Sequence, residues 1–312
     1  MYRQDPQPLW LSRARAVPLR SQMEQPPNPI PDQVKQAVKT VVKALWVARP
    51  EEVRSPSVLA SSFESQALKA EIVATGRKLW ERQYVDGNAG NISCRLGDQY
   101  VLCTPTMMSK RDMEPADICL SDLEGNILAG HRLCTSELFL HLEIYSANPR
   151  ARAIVHCHPP YATAFSLTGE VPPVGLISEY ELFIGPTALT RYETTGTRAF
   201  AQSVLPFVKD HNTILLANHG VVCWSDSVTH AEWLVEILES YCKTCVIARQ
   251  IGKPLKPIPD EKIQEILALK RRLGLPDARM TPLQAADDSS ASASHDVDIE
   301  FRRVMSRMQH QR

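Results

Sequence analysis

Three observations predict a layered α/β fold, as opposed to a pure doubly wound sheet. Segments with apolar residues at helical spacing alternate with short β-branched runs. Several of those runs are joined by hairpin turns, whereas parallel strands need long crossovers. The periodic pattern is concentrated in residues 64–275, between Pro-rich and Ser/Ala-rich ends.

The first element is a helix over 66–83, with Leu68, Ile72 and Leu79 on one stripe. A turn-rich segment follows, Asp86-Gly87-Asn88-Ala89-Gly90-Asn91-Ile92-Ser93. Strands are predicted over 92–95, 100–104 and 118–121, and Leu123-Glu124-Gly125-Asn126 reads as a hairpin turn. Residues 136–147 are helical, with Leu138, Leu142 and Tyr145 inward. Ala153-Ile154-Val155 is β-branched enough to be a strand. Two apolar runs, 213–216 and 221–224, flank a turn. The longest helix is predicted over 228–251 and the last over 261–273.

The chain divides into a Pro-rich extension over 1–63, a compact unit over 64–275, and a flexible tail over 276–312. Within the extension, Val34, Val38, Val41, Val42 and Leu45 suggest a short helix over 34–48, and 299–308 suggests an amphipathic one. Lys+Arg and Asp+Glu are equal at 35 each, so neither a nucleic-acid footprint nor an anionic-membrane surface is indicated. No apolar run approaches the ~20 residues of a membrane span, and the N-terminus lacks the apolar core of a secretory signal. Eight cysteines in a chain of this size read as reduced, buried thiols of a cytoplasmic protein.

The chemistry concentrates in His156-Cys157-His158 and Asn218-His219-Gly220. Histidines at i and i+2 share a side only on an extended backbone. His219 sits at the turn between the two later strands. Three imidazoles brought together would leave one position of a tetrahedral Zn²⁺ open, the arrangement of a catalytic site. Cys157 alternates to the opposite face and reads as core. Thr135-Ser136-Glu137 opens a helix, where Thr or Ser is ordinarily the N-cap and Glu suits the first turn. The same position offers amides and hydroxyls to an anion.

In order, Gly90-Asn91-Ile92-Ser93, Thr104-Pro105-Thr106, Ser136-Glu137, His156-Cys157-His158-Pro159-Pro160 and Asn218-His219-Gly220 resemble the class II aldolase/adducin family over about residues 64–275. The resemblance implies a three-layer αβα sandwich around a largely antiparallel sheet. It implies zinc held by His156, His158 and His219, with Glu137 as the catalytic acid/base. Asn91, Ser93, Thr106, Thr135 and Ser136 would bind the anionic end of a small-molecule substrate. The implied reaction is C–C cleavage or formation in a ketose or keto acid through an enediolate, in a homo-oligomer of tetrameric type. A dehydratase or 4-epimerase of the same family is the alternative enzyme, and a noncatalytic adducin-like module the alternative from another class. The intact histidines and Glu137 place the chain on the catalytic side.

Two departures bear on substrate. Met107 stands where the family has a glycine, and its side chain is expected to crowd an anion approaching the loop amides. Leu176 aligns near the family's leaving-group tyrosine, with Tyr180 and Tyr192 as stand-ins that read more simply as core or interface aromatics.

Overall fold

The computed structural model describes residues 55–280; the segments 34–48 and 299–308 lie outside the described residues. α1 (Pro56–Ser61) and α2 (Phe63–Glu81) come first, α2 capped by Ser62, whose side chain accepts the Ser65 N–H. β1 (Asn91–Leu96), β2 (Tyr100–Cys103), β3 (Cys119–Asp122) and β4 (Ile127–Ala129) then form a meander. α3 (Leu138–Ala147) leads into β5 (Ala153–Cys157) and α4 (Pro160–Thr168), and α5 (Ser178–Phe183), β6 (Ala188–Leu189) and α6 (Arg198–Gln202) follow. β7 (Thr213–Leu216) and β8 (Gly220–Ser225) form a hairpin, and α7 (Val228–Gln250) and α8 (Asp260–Arg272) close the described chain.

The eight strands form one sheet in the order β4-β3-β2-β1-β5-β8-β7-β6. Every pairing is antiparallel except β6 with β7, at the edge. Strand alternation splits the core in two. Ile92, Cys94, Leu102, Val155, Cys157 and Cys223 pack with α2 and α7 on one face. Val101, Ile154, Ile214, Val222 and Trp224 pack with α3 and α6 on the other. The sandwich is therefore three-layered and largely antiparallel, as the sequence led us to expect. All eight cysteines are free and buried, with Cys157 in the first core layer.

That alternation decides where the chemistry goes. His156 follows Ile154 onto the α3 face of β5. Asn91 and Ser93 have the parity opposite to Ile92 and Cys94, so they share that face on β1. Asn91 is paired directly with His156 across the ladder.

One local expectation is corrected. Neither Thr135 nor Ser136 caps α3; the helix begins at Leu138, and Glu137 itself occupies the cap position with φ −102° and ψ 18°. Its carboxylate makes no cap bond because it turns into the sheet side, towards Asn91 and the imidazoles. Thr135 instead accepts the Glu137 N–H on its hydroxyl at 3.3 Å. Contacts also reach past the expected 64–275 limits: α1 packs on α2, and Asp277 and Arg279 are tied to Glu181 and Lys270 by ion pairs.

Candidate metal and proton-transfer site

His156 is the penultimate residue of β5, His158 follows directly after the strand, and His219 projects from the β7–β8 turn. That turn needs Asn218 at φ 54°, a left-handed conformation Asn tolerates better than most residues. Its next residue but one must be small: a Cβ on Gly220 would lie 2.5 Å from both the Cys157 carbonyl oxygen and His158 Cδ2. Glycine thus lets the hairpin approach β5 closely enough to bring His219 to the other two. The three rings sit with centroids 4.7–5.0 Å apart, and one nitrogen from each lies within 4.8 Å of the others.

Their protonation follows from their partners. His156 Nδ1 donates to the Val221 carbonyl at 2.8 Å, which leaves Nε2 with a lone pair. Burial, reinforced by His219, lowers its pKa to about 3. Burial also lowers His158 to about 3 and shifts His219 downward. Neutral imidazoles are the form that binds a metal.

Glu137 completes the group. Its Oε2 lies 3.2 Å from His156 Nε2, and its Oε1 lies 3.6 Å from His219 Nε2. Oε2 and His156 Nε2 are both acceptors, and two buried acceptors face to face are unfavourable unless a cation or proton lies between them. The residues therefore fit a divalent metal: three neutral nitrogen donors, one oriented by a backbone carbonyl, beside a carboxylate. The histidine-rich donor set suits zinc and other first-row transition metals better than calcium or magnesium.

Around this centre, the loop and the helix start are stitched together. Pro105 forms a β-bridge with Cys134, Thr135 N–H donates to the Thr104 carbonyl, and Thr106 N–H donates to the Leu133 carbonyl, the last two at 3.0 Å. Asn91 Nδ2 donates to Glu137 Oε2 at 2.9 Å. Asn91, Thr106 and Thr135 thus belong to one interconnected rim, with Thr106 half-buried and Ser136 exposed beside it in the chain. Ser93 stands apart from it: fully buried, its hydroxyl is engaged by His141 Nδ1 at 2.6 Å and Tyr145 OH at 2.8 Å.

Met107 has φ 53°, in the left-handed region that favours glycine, and its side chain is 80% exposed. Asn88 Nδ2 reaches its sulfur at 3.4 Å. Tyr180 is core: it is fully buried, stacks on Tyr241 at 3.7 Å and hydrogen-bonds Thr187. Tyr192 is exposed. The residue the sequence reading passed over is His141, fully buried and bonded to Asn91 Oδ1 at 2.5 Å. Its signal was the four-residue spacing Glu137, His141, Tyr145, which aligns three polar groups on one helix face.

Known proteins resemble this chain in sequence and fold. The family described as Class II Aldolase and Adducin N-terminal domain matches residues 70–246. An L-fuculose phosphate aldolase from Methanococcus maripaludis is 37% identical over 175 residues, covering 56% of this chain and 93% of that protein. A 3-oxo-tetronate 4-phosphate decarboxylase from Haemophilus influenzae is 32% identical over 204 residues, covering 64% and 96%. Among solved structures, an L-fuculose 1-phosphate aldolase superposes with a TM-score of 0.61 at 28% identity, covering 66% of this chain and 96% of its own. The matched span contains Glu137 and all three histidines, and the relatives are lyases: the chain belongs to the class II aldolase and adducin family, on its enzymatic, lyase side.

Proposed function

We propose that the chain is a zinc-dependent lyase that cleaves or forms a C–C bond in a small ketose or keto acid carrying a phosphate. The observation that carries this reading is the convergence of His156, His158 and His219 on the Glu137 carboxylate. Zinc on the three imidazoles would supply Lewis acidity to a substrate oxygen. Glu137 is the proton-transfer group: its carboxylate is nine-tenths buried, anchored through Oε2 by Asn91, with Oε1 left for a substrate proton. The rim of Asn91, Thr106, Thr135 and Ser136 takes the substrate's anionic end with amide and hydroxyl donors.

A phosphorylated substrate is favoured by the relatives, whose names each include a phosphate. Met107 leaves room for one by turning its side chain to solvent from a left-handed backbone. Exposed Leu133 and Phe139, on either side of Ser136 and Glu137, support a homo-oligomer that covers this rim. The free, buried thiols support a reducing, cytoplasmic setting.

The test is metal content by mass spectrometry on protein purified without added metal, followed by product analysis on a panel of ketose and keto-acid phosphates. Near-stoichiometric zinc that His156→Ala removes, together with two carbon fragments from one substrate, is expected. Decarboxylation is the second reading, favoured by the 32% identical decarboxylase, and release of carbon dioxide would select it. An isomerised or dehydrated product would point to epimerase or dehydratase chemistry. A folded, metal-free protein inert on the panel would return the chain to the adducin-like binding role.

A further inference from the structure

Behind Glu137, away from the imidazoles, four polar side chains are buried in the sheet–helix interface: Asn91 at 5% exposure, Ser93 and His141 at 0%, and Tyr145 at 1%. They arise from two periodicities that happen to face each other. Asn91 and Ser93 are i and i+2 on β1; Glu137, His141 and Tyr145 are successive i+4 neighbours from the cap of α3. The contacts form one unbranched chain. Tyr145 OH meets Ser93 Oγ at 2.8 Å, Ser93 Oγ meets His141 Nδ1 at 2.6 Å, and His141 Nε2 meets Asn91 Oδ1 at 2.5 Å. Asn91 Nδ2 meets Glu137 Oε2 at 2.9 Å.

The polarity of this chain can be worked out from its end. The Glu137 carboxylate only accepts, so Asn91 must present its NH₂ there and its Oδ1 to His141. Oδ1 only accepts, so His141 Nε2 carries the hydrogen. A neutral imidazole has one such hydrogen, so Nδ1 is bare and accepts from Ser93. Ser93 has spent its hydrogen, so Tyr145 donates to Ser93. Every donor points towards Glu137. Burial keeps His141 neutral, with its pKa lowered to about 3, and keeps the Tyr145 hydroxyl protonated.

We propose that His141 is a positioning residue for the proton-transfer carboxylate: its Nε2–H fixes the Asn91 amide so that Nδ2, not Oδ1, faces Glu137. The inference rests on the reading of Glu137 given above. Without that donor the Asn91 amide is free to turn over. The turned amide would set Oδ1 against a carboxylate oxygen, two acceptors in contact inside the protein. Glu137 would then lose the one hydrogen bond that anchors Oε2 and aims Oε1. Ser93 and Tyr145 serve the same end, because the Nδ1–H tautomer would leave one of their two hydroxyl hydrogens without an acceptor in this chain of contacts.

Two measurements test this. The ring ¹⁵N resonances of His141, assigned by their loss in His141→Gln, report which nitrogen carries hydrogen in the metal-free and zinc-loaded protein. The Nε2–H tautomer is expected in both; the Nδ1–H tautomer or a doubly protonated ring would overturn the proposal. In kinetics, His141→Gln keeps an N–H donor and should hold kcat within about threefold of the parent. His141→Phe removes the donor and should lower kcat about 10–100-fold, the usual cost of losing an orienting partner, with KM and bound zinc unchanged. Equal losses in the two variants, or none in either, would count against it. Should His141→Phe not fold, the tautomer and the Gln variant decide the matter. A parent protein that holds zinc yet turns over nothing defeats the lyase reading, and the tautomer still decides this one.

Discussion

His156 Nε2 and Glu137 Oε2 face each other at 3.2 Å, and the His156 nitrogen has no hydrogen to share because Nδ1 has given its own to Val221. Two acceptors held this way store an electrostatic debt that a cation between them removes. Replacing the carboxylate by an amide separates the metal role of this corner from its proton role. Glu137→Gln keeps the shape, leaves the three imidazoles in place, and cannot take a proton. It should retain metal while kcat falls by about 10²–10⁴, the range of a lost general acid/base. Metal content by mass spectrometry and turnover on the same preparation check it. Turnover at the parent rate would remove Glu137 from proton transfer.

Acid should unfold the metal-free protein early. Burial holds His141, His156 and His158 at about 3 in the folded state, against an ordinary value near 6.5 in the unfolded chain. Between those values the unfolded chain binds protons that the folded one does not, so stability rises with pH there. It is fully present above about pH 6.5 and lost progressively as pH falls towards 3. Each imidazole contributes on the order of 1.4 kcal/mol per pH unit at most. Urea midpoints in chelator at pH 7.5 and pH 5 measure this; a clear drop is expected at pH 5. Equal midpoints would mean that the rings protonate inside the fold.

The separate fates of these residues explain how much was legible in the sequence. Histidines at i and i+2 next to β-branched residues specify a strand end, and Asn218-His219-Gly220 specifies a turn; both are local, and both stand where expected. The helix start at Glu137 was misread because a carboxylate beside Thr and Ser normally serves the helix amides, whereas here tertiary partners recruit it. Ser93 reads as a substrate contact because it follows Asn91 in a motif, while the hydrogen bonds that occupy it come from helix residues 48 and 52 positions on. No sequence window spans that distance. α5 and α6, at six and five residues, are too short to display a helical period.

Lys270, in the last turn of α8, and Asp277, just beyond the helix, form a fully buried pair at 2.8 Å. Lys270 also donates to the Ile184 carbonyl at 2.6 Å, while Arg279 binds both Asp277 and Glu181 at 2.8 Å, so the chain after α8 is fastened to α5. Removing Asp277 leaves the Lys270 ammonium buried without a carboxylate, at a cost of about 3–5 kcal/mol. Asp277→Asn should therefore lower the thermal midpoint substantially. Lys270→Met combined with Asp277→Leu should cost less than the sum of the single changes, because no lone charge remains. A double-mutant cycle by chemical denaturation checks it, and additive losses would mean the pair is not coupled.

Met107 provides the test of substrate charge. At φ 53° a methionine carries the steric penalty of a Cβ in the left-handed region, which a glycine does not. Met107→Gly relieves that strain but adds unfolded-state freedom, so stability should change little. Its effect on binding should be selective. With the Cβ gone, a phosphate can come closer to the amides of the loop that joins Thr104 to the Cys134 bridge. One added hydrogen bond is worth about 0.5–1.5 kcal/mol, so KM for a phosphorylated substrate should fall roughly two- to tenfold. The unphosphorylated counterpart should be unaffected. Parallel KM measurements on the two substrates decide it: a fall confined to the phosphorylated one assigns this loop to the phosphate, and equal changes in both would place the phosphate elsewhere on the rim.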